Sequence, residues 1–122
     1  MATIRYLVED VDTSVDFYTE MLGFEEVERF APAMAIVRRG DVDLWLAGPV
    51  SSAARPMPDG AQPAPGGWNR AVLKTDDLDT WLHGLRTGGA SFRNEVVKGP
   101  GGRQILVEDP SGNVVELFEP AG

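Results

Sequence analysis

The chain repeats itself. Asp10-Val11-Asp12-Thr13 returns as Asp77-Leu78-Asp79-Thr80, and at the same spacing Val11, Val15 and Tyr18 fall on Leu78, Leu82 and Leu85. Those positions recur three or four residues apart, which is one face of a helix. A β-rich stretch precedes each helix: residues 4–8 in the first half, 69–75 in the second. Three more follow it: 24–30, 33–38 and 42–47, then 91–98, 103–108 and 114–119. The order is β-α-β-β-β, twice. A duplication constrains the fold more than composition does, because whatever buries the first helix must also bury the second. The expected class is α+β, with two modules that each lay one helix on one face of a sheet. The other face is left for the partner half or a ligand. The expected bounds are 1–48 and 68–122, together one structural domain.

Local signals agree with this order. Asp12 or Thr13 can cap the first helix, and Thr13 with Asp16 is a weak capping-box match. Gly23 and Gly88-Gly89 sit where helices stop. Arg39-Gly40-Asp41 turns between two strands. Asp109-Pro110-Ser111-Gly112-Asn113 is turn chemistry between two apolar runs, and predicts a β-hairpin. Its second strand carries Glu116 between apolar neighbours, a costly place for a carboxylate without a cation or hydrogen bonds. Lys98-Gly99-Pro100-Gly101-Gly102-Arg103 joins strand to strand, so it reads as a flexible hairpin turn rather than a phosphate loop. From there Arg103 would reach a ligand. Residues 49–67 are rich in Pro, Gly, Ala and Ser. A connection this long is a linker or surface loop in preference to a lid.

Period-two alternation sorts the faces. Ile4, Tyr6 and Val8 share one face and Thr3, Arg5 and Leu7 the other. In the second half Ala71, Leu73 and Thr75 oppose Arg70, Val72 and Lys74. At the repeat spacing Thr3 matches Arg70, and in the last strand of each half Asp43-Leu44-Trp45 parallels Glu116-Leu117-Phe118. If the halves pack face to face, Thr3, Asp43, Arg70 and Glu116 converge.

Three segments carry a resemblance: residues 8–18, Leu22-Gly23-Phe24, and residues 109–117. Together with the duplication, they make the chain resemble the vicinal oxygen chelate superfamily, which includes glyoxalase I, extradiol dioxygenases, and fosfomycin and bleomycin resistance proteins. The resemblance implies paired βαβββ modules forming a half-open barrel or cup, and a homodimer. In metal-dependent relatives the first strand of each half gives a His and the last strand of the second half a Glu. Glu116 matches that Glu. The first-strand positions hold Thr3 and Arg70, and Asp43 stands on the last strand of the first half. His83, the one histidine, falls in the second helix and reads as helix surface or packing.

Two carboxylates without histidine are a poor zinc, iron or nickel site, although Mg²⁺ or Mn²⁺ can use carboxylates with substrate oxygens. Arg70 also brings a fixed positive charge to the place a cation would take. The expectation is therefore that Arg70 replaces the metal, its guanidinium bridging Glu116 and Asp43. No cofactor is expected on this reading.

The leading functional expectation is a metal-free small-molecule binder like the drug-sequestering branch. Trp45 and Trp68 would supply rigid aromatic surface for planar or cationic ligands. The ligand-binding candidates are Arg70, Glu116, Asp43, Trp45, Thr3, Arg5, Trp68, Val72, Phe118 and Arg103. The alternative is a divalent-metal-dependent lyase, isomerase or dioxygenase using Glu116 and Asp43. A third reading is a metal-independent enzyme, with Arg70 on an oxyanion and Glu116 or Asp43 as base. A structural protein with a vestigial cup is the remaining class. The net charge of −8 argues against a nucleic-acid backbone as partner and is compatible with cationic ligands. Zero cysteines exclude disulfides, thiolate metal sites and a cysteine nucleophile. No apolar run is long enough to span a membrane. No signal-peptide pattern opens the chain, so the cytoplasm is the expected location.

Overall fold

The computed structural model describes residues 1–122. Its elements follow the duplicated order. The first module runs β1 (Ala2–Leu7), α1 (Val11–Glu20), β2 (Glu25–Phe30), β3 (Met34–Arg39) and β4 (Val42–Ala47). The second runs β5 (Ala71–Lys74), α2 (Leu78–Thr87), β6 (Ser91–Phe92), β7 (Val97–Gly99), β8 (Gly102–Glu108) and β9 (Val114–Pro120). The backbone forms two compact units. The first comprises 1–66 with 110–113, and the second 67–109 with 114–122.

The first unit holds a four-stranded sheet in the order β1-β4-β3-β2, in which β1 runs parallel to β4 and the other neighbours are antiparallel. Helix α1 buries Val11, Val15 and Tyr18, the stripe that helical spacing predicts. Each such side chain contributes about 1.5–3 kcal/mol when fully buried. Tyr18 packs edge-on against Tyr6 and Phe24. The helix cap lies earlier than Asp12 or Thr13: Asp10 Oδ1 accepts from the Thr13 N–H at 2.9 Å. Asp77 does the same for Thr80 in α2 at 3.1 Å. The two capping aspartates are the first residues of the repeated motif, so the duplication predicts the cap better than the local capping-box match does.

The second unit repeats the plan, with β5-β9-β8-β6 in order and β7 also paired to β8. Helix α2 buries Leu78, Leu82 and Leu85. The stretch expected as one strand over 91–98 is broken into β6 and β7. Arg93 N–H still donates to the Leu106 carbonyl, but the Leu106 N–H is taken by the Asn94 side chain instead of main chain. Asn94 thereby ends one ladder segment before the next begins. The hairpin expected around residues 109–113 forms, with Glu108 opposite Val114 and Gly112 at φ 85°.

Residues 49–66 belong with the first unit. They are irregular except for one 3₁₀ turn, Ser52–Ala54. Asn113, buried in that same unit, accepts from the Gly66 N–H at 2.8 Å and donates to the Leu7 carbonyl at 2.7 Å. Ser111 accepts from the Glu9 N–H. The Asp-Pro-Ser-Gly-Asn turn thus clasps the loop end and the end of β1.

Candidate functional site

Each sheet turns one face toward its helix and one away. On the away face of the second sheet, register sets Val72 beside Glu116 and Lys74 beside Phe118. It also sets Glu116 beside Leu106 and Phe118 beside Gln104. Arg70 continues the same side of β5. Glu116 is only 8% exposed, so its charge needs compensation. Arg70 supplies it: Nε and Nη2 both donate to Glu116 Oε1, at 3.0 and 2.9 Å. The remaining arm, Nη1, donates to the Trp68 carbonyl at 3.1 Å. The pairing of Arg70 with Glu116 is the one the alternation led us to expect.

The Asp43 carboxylate, expected to share Arg70, has a guanidinium of its own within the first sheet. Asp43, 7% exposed in the first sheet, is gripped by Arg38, which faces it across the β3–β4 ladder. Arg38 Nε donates to Oδ1 at 2.7 Å and Nη2 to Oδ2 at 3.0 Å. This fork holds the Asp43 carboxyl below its usual range and raises Arg38. The partner was missed because Arg38 reads as a strand residue beside a turn. The antiparallel register through Arg39-Gly40-Asp41 would have placed it. Thr3 is in register with Asp43 and exposed, and Arg5 lies over the ring of Trp45, its register partner, at 5.1 Å.

Trp68 is 67% exposed but not loose. The Arg93 guanidinium stacks 4.5 Å from its ring centre, while Arg93 Nη1 donates to the Gly67 carbonyl at 2.6 Å and Nε pairs with Glu108. Arg93 was not among the residues singled out from sequence, because nothing local marks it. Arg103 is a correction. It alternates with the away face, lies on the side of α2, and divides its guanidinium between Glu119 and Asp79. Glu119 in turn accepts from the Leu78 N–H at the start of α2, so this cluster pins the helix rather than a ligand. His83 is exposed on α2.

Two cavities border the first unit. One, of about 270 Å³, is lined by residues including Glu9, Asp12, Pro32 and Pro49. The other, of about 140 Å³, includes Leu7, Ala47, Gln62 and Pro65. Neither includes one of the ligand-binding candidates read from the sequence.

The model of the Glyoxalase/Bleomycin resistance protein/Dioxygenase superfamily matches residues 1–117. The chain belongs to this superfamily. Its α+β fold is that of the glyoxalase/bleomycin-resistance group, and solved structures repeat it over nearly the whole chain. The antibiotic-binding protein TnmS3 from Streptomyces sp. CB03234 is 26% identical, with TM-score 0.69 over 99% of this chain and 97% of that one. A superfamily member from Sphaerobacter thermophilus DSM 20745 is 26% identical, with TM-score 0.71 over 98% and 97%. A lactoylglutathione lyase from Agrobacterium tumefaciens shares the fold at 22% identity, with TM-score 0.75 over 98% and 92%. No protein of curated function is matched.

Superfamily members often use a divalent metal, so the donors need testing for that role. The Glu116 carboxylate, the residue the resemblance sets against the metal-binding Glu, already carries a guanidinium. No group of three or more His, Cys, Asp or Glu side chains able to hold a metal ion occurs in either unit. A single carboxylate beside a fixed positive charge is a poor fit for a divalent cation. No helix is long and apolar enough to cross a membrane.

Proposed function

We propose that this superfamily member binds a small organic molecule without a resident metal, in the manner of the antibiotic-binding relatives, on the away face of its second sheet. The observation that carries this reading is the Arg70–Glu116 pair. A guanidinium occupies the carboxylate that the resemblance sets against the metal-binding Glu, and the pair forms a polar centre beside Val72, Leu106 and Phe118. Apolar surface around a few fixed polar groups is the usual composition of a small-molecule site. The likeness to an antibiotic-binding protein across both chains supports the same class. A homodimer is part of the proposal.

The deciding experiment is metal content by plasma mass spectrometry. Tag-free protein is dialysed against mixed Mg²⁺, Mn²⁺, Fe²⁺, Ni²⁺ and Zn²⁺, then desalted. Content near zero is expected, followed by thermal stabilisation by planar natural products that Arg70→Ala weakens. About one ion per chain, lost in Glu116→Ala, would overturn the proposal in favour of a metal-dependent lyase, isomerase or dioxygenase. Light scattering on the same sample tests the dimer, and a monomer at all concentrations would remove it.

A further inference from the structure

The two matched carboxylates are satisfied differently. Asp43 spends both oxygens on Arg38. Glu116 spends only Oε1, which takes both donors from Arg70. Its Oε2 accepts from no protein group. No fully buried side-chain oxygen or nitrogen in the chain lacks a partner, so Oε2 reaches the surface of the face. A carboxylate oxygen in a residue more than nine-tenths buried, still able to accept, is a built acceptor.

A second observation stands beside it. Trp68 is exposed yet fixed, with Arg93 against one side of its ring and Arg70 on its carbonyl. A rigid exposed aromatic, with one side of its ring covered, is a stacking platform on the other. One guanidinium, that of Arg70, bonds both the Trp68 main-chain carbonyl and the other oxygen of the Glu116 carboxylate.

Charge decides which donors suit them. Near Glu116 and Trp68 stand Arg70, Lys74, Arg93 and Glu108, so cationic groups offset the carboxylates around the site. The net charge of −8 acts over distance, but the charges standing nearest the site do not favour a cation at contact range. What remains is the short-range demand of Oε2 for a hydrogen. We infer that the face selects a neutral planar aromatic molecule bearing an O–H or N–H donor. It stacks on the open side of Trp68 and gives its hydrogen to Glu116 Oε2, and a cation is not preferred. This rests on the reading of the face as a ligand site, and revises the expectation of cationic ligands.

The test uses three probes on the intact protein: 2-aminoanthraquinone, 2-methylanthraquinone and proflavine. The first two share a plane and differ in the donor, and the third is a planar cation. Affinities are measured by equilibrium dialysis for wild type, Glu116→Gln and Trp68→Ala. Both variants are first checked for an unchanged circular dichroism spectrum. Wild type should bind the amino compound at least about ten-fold more tightly than the methyl compound, since a site built to receive a hydrogen rejects the analogue lacking it. In Glu116→Gln, Arg70 keeps the amide oxygen and the amide N–H₂ takes the place of Oε2. The ratio should then fall to about one or below. Trp68→Ala should weaken both anthraquinones about equally.

Equal affinity for the two anthraquinones, unmoved by Glu116→Gln but weakened by Trp68→Ala, would overturn donor selection and leave the ligand site standing. Proflavine binding more tightly than the amino compound, and losing that advantage in Glu116→Gln, would overturn the preference for a neutral ligand. No binding of any probe at about 100 μM, well above the affinities of specific sites, would overturn both this inference and the reading beneath it.

Discussion

Removing the Arg70 guanidinium tests the central pair directly. In Arg70→Ala, Glu116 keeps its place beside Val72 and Leu106 but loses both donors to Oε1. Breaking a fully buried ion pair costs about 3–5 kcal/mol, and an exposed pair costs about 0–1 kcal/mol. This pair lies between, with side-chain exposures of 29% for Arg70 and 10% for Glu116. The expected loss is about 2 kcal/mol, in line with hydrogen bonds to a charged group. For 122 residues, an unfolding entropy of about 2.1 cal/mol/K per residue converts that to a Tm lower by about 8 °C. The assay is a thermal melt followed by circular dichroism, run on Arg70→Ala, Glu116→Gln and the double variant. Because the buried charge is the source of the cost, Arg70→Ala should hurt more than the double variant does, with a coupling energy of at least about 1 kcal/mol. Arg70→Lys should recover only part, since an ammonium cannot reach Oε1 twice and the Trp68 carbonyl once with a fixed fork. A shift for Arg70→Ala below about 2 °C, with coupling near zero, would refute the claim that Arg70 is what makes a buried Glu116 tolerable.

Three further outcomes are expected. Asp10→Ala and Asp77→Ala should each cost about 1 kcal/mol in urea unfolding and add in the double variant, because they cap separate helices; strong non-additivity would count against equivalent caps. Asn113→Ala should speed proteolysis within residues 49–66 and lower stability by about 1–3 kcal/mol, because the Gly66 N–H and Leu7 carbonyl lose their partner; an unchanged cleavage rate would show that other contacts hold the loop. Asp43 is held below the usual carboxylate range by Arg38, and Glu119 by the Leu78 N–H and then Arg103. The stability they add is full above the ordinary carboxylate pKa of about 4 and is lost as pH falls through their lower folded values. Melts taken from about pH 6 down to 2.5 should show that loss, and Asp43→Asn should flatten it; an identical acid slope in the variant would contradict the Arg38 pairing.

The sequence by itself determined the plan of the molecule. The repeat of Asp10-Val11-Asp12-Thr13 in Asp77-Leu78-Asp79-Thr80 carries the helix stripe, the cap and the strand order together, because each depends on residues a turn or a pleat apart. The turn around Gly112 and the burial of Glu116 are equally local, resting on chain conformation and alternation. The pairing of Arg70 with Glu116 was legible in part, since alternation and the repeat set both among the residues expected to converge, but the same reading joined Asp43 to them. The structure alone decided the rest. Whether Asp43 pairs with Arg70 or Arg38 depends on which strand lies beside it, and β3 brings Arg38 into its register. Arg103 alternates onto the helix side, where Asp79 and Glu119 use its guanidinium, although the glycine-rich turn suggested a ligand-facing position. Arg93 meets Trp68 from beside β8, where its N–H bonds Leu106 and its guanidinium pairs with Glu108, a placement set by residues far apart in the chain. Periodicity assigns a side chain to a face, but the partner it meets there is set by register between residues far apart in the chain, and the open oxygen of Glu116 is a consequence of that register.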